Sequence, residues 1–140
     1  MATSAQYTTT PGYSCDTVTT ADSSYTAPTN YKTILTGTST AAGSGVGYRI
    51  NKVICCVKGT SSQCVVRFFM STDNLTTQNL IDEIIIPANT ASSTSPAVTV
   101  AVPFLEGLVV PGSTGGNAFK ITASTSVTQN IAIHVFYGAL

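Results

Sequence analysis

Residues 104–140, FLEGLVVPGSTGGNAFKITASTSVTQNIAIHVFYGAL, carry three short apolar runs broken by Pro, Gly, Ser, Thr and Asn. No run is long enough for a globular helix. No window of ten or more residues in the chain repeats its apolar positions at the helical period. The alternation is the period of two that sends successive side chains to opposite faces of a strand. In 130–137, Ile131, Ile133, Val135 and Tyr137 share one face. A chain patterned this way buries its apolar side chains by stacking sheets.

From Tyr31 onward the same pattern predicts eight strands: 31–37, 48–58, 64–71, 80–86, 97–102, 105–110, 118–124 and 130–137. Clusters of Gly, Ser, Thr, Asn and Pro separate them. Gly59-Thr60-Ser61-Ser62 reads as the tight connection of a hairpin between the second and third strands. Pro103 ends the fifth, because proline cannot donate to a ladder. Strands of this number and spacing predict an all-β fold, an eight-stranded antiparallel β-sandwich that is jelly-roll-like.

The first thirty residues differ. They hold almost no aliphatic side chain beyond Val18, yet they contain Tyr7, Tyr13 and Tyr25. Such a segment cannot bury enough apolar surface to fold alone. The division expected is an extended N-terminal arm at 1–30 and a sandwich domain at 31–140. The arm is either loosely docked or laid on a neighbouring subunit. Tyrosine suits the second role, giving large contact area at low entropic cost.

Composition limits the partners. Only 9% of the 140 residues are charged, against about 25% in typical soluble chains. With 24 Thr and 15 Ser, the polar surface is built of hydroxyls. Net charge is zero, and the cations Lys32, Arg49, Lys52, Lys58, Arg67 and Lys120 are scattered in sequence. A phosphate-binding surface needs cations converging on one face, so no nucleic-acid partner is expected unless folding gathers them or an oligomer repeats them. No apolar run is long enough to span a bilayer, so no membrane partner is expected either. Met1-Ala2-Thr3-Ser4 has neither a basic nor an apolar region of a signal peptide, and the expectation is assembly in a cytoplasm.

Little chemistry is spelled out. His134 is the only histidine and lies inside a strand run. Cys15, Cys55, Cys56 and Cys64 read as free thiols in a reducing compartment, mostly as small buried apolar groups. Adjacent Cys55 and Cys56 point to opposite faces of a strand. The acids Asp16, Asp22, Asp73, Asp82, Glu83 and Glu106 form no motif; Asp82 and Glu83 are neighbours that face opposite ways. The Gly-rich pieces at 43–47 and 115–116 lead into no helix, so they read as turns. No catalytic residue, cofactor or metal site is expected, and the chain reads as a non-enzyme.

Apolar side chains on both faces of a strand point instead to contact. In 64–71, Val66, Phe68 and Met70 lie on one face and Val65 and Phe69 on the other. Phe136 likewise stands opposite the aliphatic face of the last strand. A sandwich strand normally shows one face to water. The outer face is then covered by the arm, a loop or another subunit, and the shortage of charge favours a subunit interface. The candidate subunit or capsid contacts are Tyr7, Tyr13, Tyr25, Val65, Phe69 and Phe136.

The order of these pieces resembles a known group. It runs from a Gly/Ser loop to Tyr48-Arg49-Ile50-Asn51-Lys52-Val53-Ile54-Cys55-Cys56-Val57, then Ile84-Ile85-Ile86-Pro87-Ala88. Leu105-Glu106-Gly107-Leu108-Val109-Val110-Pro111-Gly112, Phe119-Lys120-Ile121-Thr122-Ala123-Ser124 and a closing Tyr137-Gly138-Ala139-Leu140 follow. From about Thr33 to the end this resembles small β-sandwich virion proteins of tailed bacteriophages, namely capsid decoration or cement proteins and the similar modules of head fibres and tail tips. The resemblance implies a non-enzymatic homotrimer in the virion, bound to the major capsid protein or another virion protein and stabilising the head shell by repeated weak contacts. The alternative it leaves is a receptor- or carbohydrate-binding module of a tail or head fibre.

Overall fold

A computed structural model of the chain describes residues 10–37, 47–112 and 118–140. It is all-β, with nine strands: β1 (Thr10–Val18), β2 (Lys32–Thr36), β3 (Tyr48–Val57), β4 (Cys64–Ser71), β5 (Asn79–Ile86), β6 (Thr99–Ala101), β7 (Val109–Val110), β8 (Lys120–Thr125) and β9 (Ile131–Ala139). They form two antiparallel sheets. Sheet A has the order β1-β9-β3-β6, with β7 on the same edge of β3 as β6. Sheet B has the order β2-β8-β4-β5. Their apolar faces pack together as a sandwich.

The core follows from the alternation. Val53, Cys55 and Val57 of β3 and Ile131, Ile133 and Val135 of β9 face inward from sheet A. Val66 and Phe68 of β4 and Ile121 and Ala123 of β8 meet them from sheet B. Phe68, Ile121, Ile131 and Ile133 are fully buried. Each such side chain contributes about 1.5–3 kcal/mol relative to exposure.

Three expectations are corrected. Among the described residues the strand count is nine, not eight, because Thr10–Val18 adds β1, and the two apolar runs around Pro103 are cut short. Pro103–Leu105 forms a 3-10 turn, Leu105 drops into the core, and only Thr99–Ala101 and Val109–Val110 pair with β3. The segment at 59–62 does not close a hairpin. Its flanking strands lie in different sheets, since the inward faces of β3 and β4 are both apolar and bury each other by stacking. The hairpin in this region is β4–β5, with Cys64 opposite Ile86.

The third correction concerns the arm. The boundary expected at Tyr31 does not divide the described chain. Thr10–Val18 is a full strand, paired with β9 over its whole length from Thr10↔Ala139 to Val18↔Ile131. The Ser14 hydroxyl ties it to sheet B by donating to the Ile34 carbonyl at 2.6 Å. Its aliphatic poverty hid it, because as an edge strand it seals the core with Val18 alone. Tyr7 lies outside the described residues.

Candidate interaction surface

The two outer faces of the sandwich differ. That of sheet B is covered over β8 and β4 by the chain itself, while Ile85 on its β5 edge stays 62% exposed. The connection 19–31 leaves β1, forms a bridge between Ala21 and Thr125, and crosses β8 and β4 before entering β2. Arg67, on the outer side of β4, fastens it. The guanidinium donates to the Asp22 carbonyl at 3.0 Å, to the Tyr25 hydroxyl at 3.1 Å and to Glu83 at 2.9 Å. The Tyr25 ring lies over it, 4.2 Å from centroid to Cζ. Arg67 is only 5% exposed.

Asp22 holds the connection in shape. Its carboxylate accepts from the backbone N–H of Ser24 at 2.8 Å, Thr29 at 2.7 Å and Asn30 at 2.8 Å, and from the Thr29 hydroxyl at 3.3 Å. Burial alone would raise its pKa. The N–H groups of Asn30, Ser24 and Thr29 outweigh burial and hold the carboxyl below the usual aspartate value.

This cover corrects one expected contact. Phe69 does lie on the outer side of β4, between Thr122 and Leu80 in the ladder. It is fully buried and offers nothing to a partner. Val65, at the other end of the same face, is half-buried opposite Ile85. Tyr25 remains 53% exposed beside Arg67. Under the same cover lies the Ser124 hydroxyl, opposite Arg67 and without a hydrogen-bond partner among the described residues. A buried unpaired hydroxyl costs stability. Ser124→Ala is therefore expected to raise the melting temperature by a few degrees, on the order of 1 kcal/mol. A lowered melting temperature in calorimetry would show that the hydroxyl is satisfied.

Among the described residues sheet A has no such cover, and its registers build an outer face in rows. Tyr13, Phe136 and Lys52 form one row. Cys15, His134, Ile54 and Ala101 form the next, followed by Thr17, Ala132, Cys56 and Thr99. Tyr13 and Phe136, two of the predicted contacts, are brought together with ring centroids 5.2 Å apart. The Tyr13 hydroxyl sits 2.7 Å from His134 Nδ1, which gives the lone histidine a hydrogen-bonded strand position. Tyr13 is 54% and Phe136 40% exposed.

Folding also gathers charge here. Arg49, Lys52 and Lys58 are all exposed along or just beyond β3. Lys58 donates to the Thr17 hydroxyl at 3.1 Å. None of the outward positions in these rows is a carboxylate. The stripe escaped sequence reading because a bulge between Ile50 and Lys52 puts Arg49 and Lys52, three residues apart, on one side. Asp22 and Arg67 were missed as well. The signal for Asp22 was local: Asp followed two residues on by Ser, an Asx-turn pattern.

The four cysteines are free thiols. Cys55 is a core residue whose thiol is pushed up to about 12, mainly by burial, and is therefore inert. Cys64 is buried beside Gln129, whose amide lies 2.8 Å from its sulfur. Among the described residues no group of three or more His, Cys, Asp or Glu side chains is placed to hold a metal ion. Comparison with protein-family models, with curated proteins and with solved structures finds no match to this chain.

Proposed function

We propose that this chain is a structural protein of a tailed-phage virion, an auxiliary decoration or cement protein. It binds the head shell as a homotrimer and acts without catalysis. The observation that carries this reading is the outer face of sheet A, where Tyr13 and Phe136 stand exposed beside a half-buried Ile54, while residues 19–31 cover the β8 and β4 part of the opposite face. An exposed apolar patch of that kind, rimmed by polar side chains, marks an interaction site. A sheet face engages another protein by area and repetition.

The sandwich itself reads as a jelly roll. In support stand the two strand orders, β1-β9-β3-β6 and β2-β8-β4-β5, with β6 and β7 taken as one interrupted edge strand. Every connection except β4–β5 and the internal β6–β7 turn then passes from one sheet to the other, as two interleaved Greek keys require. The test of the function is sedimentation of the purified protein with heads of the phage that encodes it. Saturable co-sedimentation in fixed ratio to the major capsid protein is expected. Protein that stays in the supernatant over a micromolar range would overturn the assignment.

A further inference from the structure

We infer that the outer face of sheet A docks on an apolar, carboxylate-bearing protein surface of the head shell. The inference rests on the head-shell role proposed above and names the chemistry of the surface engaged. The cations of this face stand in line on one strand. Arg49, Lys52 and Lys58 are exposed along or just beyond β3, and apolar side chains flank them on both sides. Phe136 and Tyr13 continue the row of Lys52 across β9 and β1. On the other side Val109, 44% exposed, stands opposite Arg49 on β7.

Charge is segregated here in a chain whose net charge is zero. None of the six acids takes an outward position on this sheet. Asp16 falls on the alternate, inward side of β1, opposite Ile133. Glu106 lies in the connection ahead of β7, and the one ion pair among the described residues is Arg67–Glu83 on sheet B. Arg49 and Lys52 therefore have no carboxylate partner in their own chain, and a surface of opposite sign complements them. A second copy offers little of that kind. Face on face would set cation against cation, and on the β5 edge Glu83 is already paired while Asp82 stands on the other side, opposite Phe68. A nucleic acid is also the poorer fit. Base stacking needs a free ring plane, and Tyr13 already stacks on His134, with centroids 5.9 Å apart, and tilts against Phe136. Three cations neutralise few phosphates. On an acidic protein surface the apolar flanks supply buried area, and the cations fix register and exclude basic partners.

The experiment is sedimentation of wild type, Lys52→Glu and Lys32→Glu with purified phage heads. Lys32 is exposed on β2 of the other sheet, so its variant makes the same change in net charge away from the face. Circular dichroism checks folding, and Arg49→Glu takes the place of Lys52→Glu should that variant fail to fold. Wild-type binding is expected to weaken as salt rises. Lys52→Glu is expected to bind about tenfold more weakly or worse, because it sets acid against acid, and Lys32→Glu to bind like wild type. A carbodiimide, which joins an amine to a carboxylate in contact, is expected to link Lys52 or Lys58 to an Asp or Glu of a shell protein, read by mass spectrometry. Head binding that ignores salt, that Lys52→Glu leaves unchanged, that Lys32→Glu weakens equally, or that yields no link from either lysine would overturn the inference and leave the virion role standing. Loss of the chain's own oligomeric mass in Lys52→Glu, measured by light scattering, would overturn it in favour of a second copy. Binding of single-stranded DNA at physiological salt that Lys52→Glu abolishes would overturn it in favour of nucleic acid. Wild type that stays off the heads altogether would overturn both the inference and the virion role.

Discussion

Asp22→Ala is expected to lower the melting temperature by about 10 °C at neutral pH, and the difference from wild type is expected to shrink in acid. The carboxylate serves three backbone N–H groups and one hydroxyl while 9% exposed. Hydrogen bonds to a charged group are worth about 1.5–3 kcal/mol each. The alanine variant loses them together and leaves the donors of Ser24, Thr29 and Asn30 unpaired, a loss on the order of 3 kcal/mol once non-additivity is allowed for. For a chain of this size that is about 10 °C. The pH dependence has a fixed sign. The folded pKa of Asp22 lies below its unfolded value, near 4. Its stabilisation is therefore complete above the unfolded pKa and is lost as pH falls through the folded one. Asp73 is also held below the ordinary value, chiefly by the Thr77 backbone N–H, but it contributes equally to both proteins. The difference in melting temperature between wild type and variant, measured by calorimetry across the acid range, thus isolates Asp22. A difference that stays constant into strong acid would show that the carboxylate is not what holds the connection.

Gly47→Ala is expected to be at least as damaging, and to act by steric exclusion. A Cβ at Gly47 would stand 1.8 Å from the Val110 carbonyl oxygen and 2.7 Å from Pro111 Cα. One at Gly37 would stand 2.0 Å from the Pro111 oxygen. The chain at Val110–Pro111 therefore passes close to two glycines, and the atoms met are backbone, which cannot swing aside. Gly47 also accepts the Leu140 N–H at 3.1 Å, and its neighbour Tyr48 pairs with Val110. Relieving the clash means giving up β7 or the end of β9. Overpacking in well-packed sites costs about 1–3 kcal/mol and occasionally more, and this site belongs at the upper end. Urea denaturation should show a midpoint shift equivalent to about 3 kcal/mol or a failure to fold. Gly59→Ala provides the contrast, since no atom lies within 4 Å of a Cβ there. Its cost is the positive φ of 110° alone, about 1 kcal/mol. Equal losses at the two positions would remove the steric account.

The amino-acid sequence alone determined the class of fold and most of its strands. Period-two patterning at 48–58, 64–71 and 130–137 is a local property of the chain, and the strands formed there match it within two residues. What each strand pairs with was not legible. The connection at 59–62 looks the same whether it closes a hairpin or steps between sheets, and only burial of the inward faces of β3 and β4 against each other decides. The same holds for the first thirty residues. An edge strand that contributes one buried aliphatic residue gives no hydrophobic signal, and β1 exists because β9 offers it a ladder. Phe69 shows the limit most directly. Its sequence position marks an apolar outer face, but whether that face meets a partner or the chain's own residues 19–31 depends on Arg67 and Asp22 meeting across 45 positions. Tertiary structure settled that residues 19–31 cover sheet B over β8 and β4 while no described residue covers the outer face of sheet A, because hydrogen bonds between distant residues carry no trace in local patterning.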